Sequence, residues 1–223
     1  KLTNTFRQLH RFAAGARLST SERYWRWASF NDQNQSLSLF HEEVKNKMSV
    51  SALDSIRKEF TGAINDNDFN EVLLSDMNLV LLSDMLVKVD LMSMANSLEI
   101  RSPFLDQDVV EFAFGLPSEY KIDASLKKKI VQDAFRSSLP EELYNRPKQG
   151  FEIPLLQWFR NELWSLIDQD LLADEFIREQ KIFDLSSIQA LKKQLHSSNP
   201  EDSHATIWAL IVFQHWWKHY IAG

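Results

Sequence analysis

Residues 96–108 read Asn-Ser-Leu-Glu-Ile-Arg-Ser-Pro-Phe-Leu-Asp-Gln-Asp. They thread Glu99, Arg101 and Asp106 around the apolar turn Pro103-Phe104-Leu105. Charge usually lies on a solvated face, so charge set among apolar residues asks for a reason. Two readings stand: a buried Glu99–Arg101 ion pair that pins a corner, and polar groups at the edge of an active site. A second stretch, residues 145–154, places Arg146 and Lys148 in a loop punctuated by two prolines and a glycine. Binding residues concentrate on loops held by a rigid scaffold. A flexible lysine there can neutralise charge developing on a phosphate or a tetrahedral oxyanion. The run Lys127-Lys128-Lys129 reads as a solvated helix face or as a phosphate contact beside the amides of a helix start. His215 and His219 have the i,i+4 spacing of helical metal pairs. They lack the glutamate of the zinc-protease motif and an identifiable third ligand, so packing and surface roles are expected.

The elements that carry these residues are helical. Ser19-Thr20-Ser21-Glu22 has the form of a capping box and opens a helix through Tyr24, Trp25 and Trp27. Helical periodicity continues over residues 37–48 and 51–64, and residues 65–68 are a loop. Residues 69–98 carry apolar side chains on more than one face, which predicts a largely buried element. Its length predicts a break near Asp76, and Asp84 and Lys88 stand in the favourable i,i+4 order. A helix over 108–114 is closed by Gly115 and Pro117. Another is expected over 125–139, and Pro140-Glu141-Glu142 suits a first helical turn. Further helices are expected at 155–171, 173–181 and 185–197. A last helix opens at Asn199-Pro200-Glu201-Asp202 and runs to Trp217, apolar on every side and so expected in the middle of the packing. No alternating strand set, repeat or linker is visible. The expected fold is all-α, one domain over residues 1–223.

Composition narrows the function classes. The chain has 223 residues, 44% of them hydrophobic and 25% charged, which is the make-up of a folded protein with a core rather than a disordered one. A net charge of −6 disfavours a general nucleic-acid binder. There is no cysteine, so disulfides, thiolate metal sites and a cysteine nucleophile are excluded, and a reducing compartment such as the cytoplasm fits. No signal peptide and no uninterrupted apolar run of about 18 residues is present, so no membrane span is expected. No glycine-rich phosphate loop is present, so the chain alone should bind a nucleotide poorly.

Taken together, four motifs resemble one family. "LSDMLVKVDLMSMANSLEIRSPFLDQDVVEFAFGLP", residues 82–117, is similar to the C-terminal synthetase half of the glutamine-dependent asparagine synthetases. A lysine-bearing helix follows ("SLKKKIVQDAF"), then Leu139-Pro140, then Arg-x-Lys-x-Gly-Phe in "RPKQGFEIP". The match is strongest over residues 70–160. It departs at Leu91, where the family usually has arginine, and no Ser-Gly-Gly-x-Asp-Ser loop or amino-terminal glutaminase domain is present. The resemblance implies the helical C-terminal fragment of an α/β ATP-pyrophosphatase-type synthetase domain. Its parent would adenylate aspartate with ATP and Mg and amidate it with glutamine-derived ammonia, using N-terminal domains that this chain lacks. By match to the family loop, Lys148 is the expected catalytic cation, with Arg146 and Lys128 as phosphate or substrate contacts. Glu99, Arg101 and Asp106 are expected to hold the loop geometry behind them. A related amide- or β-lactam-forming synthetase, and a non-catalytic helical interaction module, are the alternatives.

Overall fold

The computed structural model describes residues 12–13, 15–29, 31–65, 68–143 and 153–222. These are helical. Among them the only β-type pairings are two isolated antiparallel bridges, Phe40 with Phe183 and Ile122 with Lys127. No described helix is long and apolar enough to cross a membrane. The chain divides into two compact units, residues 1–25 with 54–150, and residues 26–53 with 151–223.

The first unit contains the corner and the motif-bearing helices. The capping box forms as expected. Ser19 Oγ accepts from Glu22 N at 3.3 Å, and Ser19 N donates to the Glu22 carboxylate at 3.0 Å, which opens α1 (Thr20–Ala28). The Ser19 hydroxyl, which donates to the same carboxylate at 2.8 Å, and then the Ser19 amide hold the Glu22 carboxyl below its ordinary range. Tyr24, buried on α1, donates to Asp76 at 3.4 Å; burial, then the Asp76 charge, pushes its hydroxyl up to about 12.

The long element does not break at Asp76; it changes helical type. Here α2 (Phe69–Asp76), capped by Asp68, passes directly into a π-helix (Met77–Leu86) and then into α3 (Val87–Ala95). The expected Asp84–Lys88 pair is not formed, and Lys88 Nζ lies 3.7 Å from Met85 Sδ. The expectation of burial is also corrected. Leu82, Met85, Val89, Met92 and Met94 are all exposed. A helix apolar on every side is covered only if neighbours surround it. Among the described residues of this unit, Tyr24 and Ile64 alone are buried hydrophobics.

A single 3-10 turn (Pro103–Leu105) leads into α4 (Gln107–Gly115). The 125–139 expectation is shortened to α5 (Lys129–Phe135). Asp123 draws residues 122–127 into a tight turn instead, accepting from Ser125 N and Leu126 N, each at 2.7 Å, and from Ser125 Oγ at 2.8 Å. Those bonds hold its carboxyl below the ordinary range. Glu141–Leu143 is one 3-10 turn.

The second unit has a true core. It begins with two short helices, α6 (Gln33–Ser38) and α7 (Glu42–Lys45), where one helix over 37–48 was expected. The C-terminal part supplies α8 (Leu155–Arg160), a π-helix (Leu166–Leu171), α9 (Asp174–Gln180), α10 (Leu185–Leu195) and α11 (Ser203–Tyr220). Phe159, Ile167, Leu172, Ile177, Ile188, Leu195 and Ile207 are completely buried at its centre. The last helix is buried on one side only: Ile207, Leu210, Ile211 and Gln214 face the core, whereas Trp208, Val212 and Trp216 are exposed.

Polar groups lock this core. Gln214 is fully buried and exchanges two amide hydrogen bonds with Gln180, at 2.7 and 2.9 Å, tying α11 to α9. Arg160 donates to Leu195 O and Ser197 O, each at 2.7 Å, satisfying carbonyls at the end of α10. Lys192 is 8% exposed and donates to Asp168 at 2.9 Å, Leu172 O at 3.0 Å and Asp174 at 3.1 Å. A bond from Gln189, and then Lys192, hold the Asp174 carboxyl below its ordinary range.

Lys192→Ala leaves a carbonyl and two carboxylates without their cation. Because those carboxylates are 39% and 43% exposed, the cost is expected to be about 2 kcal/mol, below that of a fully buried pair. Thermal unfolding would measure it. An unchanged midpoint would show that water replaces the ammonium without penalty.

Candidate functional site

The corner that closes the long element surrounds a cleft. Its first wall is the end of α3. There Leu98 N donates to Ser93 O at 2.9 Å and Ser97 N donates to Met94 O at 3.0 Å. Those two bonds, with Ser97 at φ 57°, are a Schellman stop. Glycine is the easy residue at that left-handed position; serine pays a steric cost there. Ser93 is itself buried, and its hydroxyl donates to Asp90 O at 3.1 Å, tightening the last turn.

Beyond the stop, residues 98–102 form a strap without regular secondary structure. Glu99 and Arg101 are paired on it through Oε1 and Nη2. The pair is not buried, which corrects the first of the two sequence readings. The Arg101 side chain is 87% exposed and that of Glu99 69%. Removing Arg101 therefore changes stability little, because an exposed pair is screened and offset by side-chain entropy.

Asp106 has a local structural role. Its carboxylate accepts from Asp108 N at 3.1 Å and caps α4. The strap, the Schellman stop and α3 border an open cleft of about 620 Å³ lined by Asp90, Ser93, Met94, Ser97, Glu99, Ile100 and Arg101, of which only Ser93 is buried. That is the size of a small-ligand site. It carries two carboxylates, one guanidinium and two hydroxyls.

Of the residues singled out in the sequence, the structure brings Glu99 and Arg101 to this cleft. Asp106 lies just beyond it, in the helix cap. Lys128 is elsewhere: it precedes α5 in a left-handed conformation (φ 58°), with its side chain exposed. Arg146 and Lys148 lie outside the described residues. His215 and His219 are exposed on α11, His219 edge-on to the Tyr220 ring at 4.5 Å.

Asp90, Ser93 and Ser97 were not singled out by sequence reasoning, although all three stand inside the quoted motif. Their signal was the run of small and polar residues at the end of an apolar helix. Lys121 was also missed. It bonds Asn70 Oδ1 and lies over the Phe114 ring at 5.3 Å, while Asn70 Nδ2 donates to Leu116 O at 3.1 Å, so the start of α2 is pinned to the end of α4. Burial pushes the Lys121 amine below its ordinary value.

No group of three or more His, Asp or Glu among the described residues is arranged to hold a metal ion, and the sequence has no glycine-rich phosphate cradle.

Comparison with known proteins defines the class. A family model described as asparagine synthase matches residues 2–218, and the chain belongs to that family. Among individual proteins it is similar to asparagine synthetase [glutamine-hydrolyzing] 1 of Bacillus subtilis (strain 168), 30% identical over 187 residues that cover 80% of this chain and 28% of that protein. A putative asparagine synthetase [glutamine-hydrolyzing] of Mycobacterium tuberculosis is 30% identical over 132 residues, 59% of this chain and 20% of that protein. The Gallus gallus asparagine synthetase [glutamine-hydrolyzing] is 28% identical over 138 residues, 60% of this chain and 22% of that protein. The chain thus spans less than a third of the length of the curated relatives it matches. No solved structure matches it.

Proposed function

We propose that this chain is the C-terminal helical part of a longer ATP-dependent synthetase that converts aspartate to asparagine with glutamine-derived ammonia. The family match over residues 2–218 carries the reading, and the names of the relatives, asparagine synthetases that hydrolyse glutamine, support it. The chemistry is consistent with the residues. A carboxylate is a poor electrophile until it is activated as an acyl-adenylate, and a cation then stabilises the pyrophosphate or the oxyanion formed when ammonia adds. In this reading Lys148 is that cation, with Arg146 and Lys128 as phosphate contacts. The glycine-rich loop that binds ATP and Mg belongs, in this reading, to a part of the longer protein outside this chain. The chain alone is then inactive, and the cytoplasm is its compartment.

The test is ATP–pyrophosphate exchange with aspartate, comparing this chain with the longest natural protein that contains it. Exchange only in the longer protein is expected. If neither exchanges although both are folded, the adenylation reading falls.

A further inference from the structure

The last helix, α11, keeps its outer face apolar and free of fixed charge. Trp208, Val212, Trp216 and Tyr220 stand four residues apart along that face and are each between 44% and 68% exposed. Residues at this spacing are neighbours on one side of a helix, so the four form a single ridge. No Asp, Glu, Lys or Arg is among the exposed residues of α11, and its one lysine, Lys218, pairs with Asp170. The rings are held from within the chain. Trp208 lies against Phe159 at 6.5 Å, and Trp216 lies against Phe213 at 5.8 Å and Tyr220 at 6.3 Å. Rings fixed in this way lose little freedom when a partner covers them, and tryptophan and tyrosine dominate the energy of interfaces.

We propose that this ridge joins two copies of the chain in a symmetric dimer, with their α11 helices antiparallel across Val212. A surface that pairs with itself must read alike in both directions from the twofold axis, and the ridge does. Trp208 and Trp216 stand one turn to either side of Val212, so each Trp208 meets Trp216 of the second copy. Ala205 and Ala209 are small where His219 and His215 of the second copy are large. Val212 is also within one residue of the middle of α11, so the two helices overlap along almost their whole length. Ridges of four-residue spacing cross at about −50°, and helices crossed at that angle draw apart away from the crossing point. Valine at the crossing and tryptophan one turn out fit that widening gap. At roughly 100 Å² of open surface per ring, the three rings of each of two copies offer about 600 Å². Val212 and the two imidazoles bring the paired faces to about 1,000 Å², where specific interfaces begin. A lipid surface fits poorly, because an interfacial helix needs basic residues beside its apolar face. Pairing through α11 requires nothing of the synthetase reading.

The test is sedimentation equilibrium on the longest natural protein that contains this chain. The wild-type protein is expected to pair at micromolar concentration, the weak end of specific interfaces. Val212→Glu sets two carboxylates against each other on the twofold axis and should weaken pairing by roughly 100-fold or more. Val212 is half-exposed, so the variant is expected to fold, which circular dichroism checks. Val212→Cys gives a second readout that disrupts nothing. Under mild oxidation it should join two copies through a disulfide at position 212, and peptide mapping locates the link. If Val212→Glu does not fold, this link alone decides. A wild-type monomer at about 100 μM, pairing untouched by Val212→Glu, or pairing without a link at position 212 each overturns the proposal. The first outcome leaves the ridge to a different partner, and the other two put the contact between copies on another surface.

Discussion

Lys148→Ala in the longer protein is expected to reduce amide synthesis by roughly 100- to 1,000-fold, the loss typical when one group aimed at developing charge is removed. Expulsion of pyrophosphate and attack by ammonia both build negative charge on oxygen. The family loop Arg-x-Lys-x-Gly-Phe is present here as Arg146 to Phe151, and its lysine carries a charge on a stem long enough to follow that oxygen. Glutamine hydrolysis takes place in another domain of the proposed parent, so it should remain measurable in the variant and report that the protein is folded. Arginine at this position is not expected to rescue fully, because a planar guanidinium is not a compact point charge. Synthesis at the wild-type rate in the alanine variant would remove Lys148 from the mechanism.

Phe159→Ala should cost about 3–5 kcal/mol of folding stability in the second unit, the range for emptying a buried phenylalanine site. Phe159 is completely buried and its ring lies parallel-displaced to Trp208 at 6.5 Å. Its neighbours come from several helices whose polar locks, Arg160 and the Gln180–Gln214 pair, resist collapse into the void. The matching control is Phe112→Ala in the first unit. Phe112 is 63% exposed, so the same deletion there should change stability little. Urea unfolding followed by tryptophan fluorescence reads both. Equal effects at the two positions would contradict the division into a packed unit and a thinly covered one.

What the sequence made legible follows from how local each signal is. The Ser19–Glu22 capping box, the α4 boundaries and the family motif depend on neighbours along the chain, and all were readable. The Glu99–Arg101 corner was readable as a feature but not as an exposed one, because residue types do not say what stands opposite them. The same limit affected residues 69–98, whose apolar pattern stated a need for cover that the described first unit does not meet. The Lys192 cluster joins residues up to 24 positions apart, beyond the reach of periodicity. In the 125–139 segment the turn chemistry of Asp123 defeated helix propensity, and three lysines were read as part of a helix that begins only at the last of them. Of the residues that line the cleft, Glu99 and Arg101 stood out in the sequence as charges among apolar neighbours, while Asp90 and Ser97 did not, because serine does not announce the left-handed turn at Ser97.

The π-helix between Met77 and Leu86 has a consequence for insertions and deletions. Its i→i+5 bonding packs more residues into each turn than an ordinary helix does. A residue lost from it is absorbed when a widened turn closes to the ordinary i→i+4 form, so the expected outcome is that α3 keeps its direction and Asp90 and Ser93 stay on the face they occupy. The same deletion within α3 would instead turn every later residue by about 100°. Chain length is thus more freely variable between 77 and 86 than in the helix that follows.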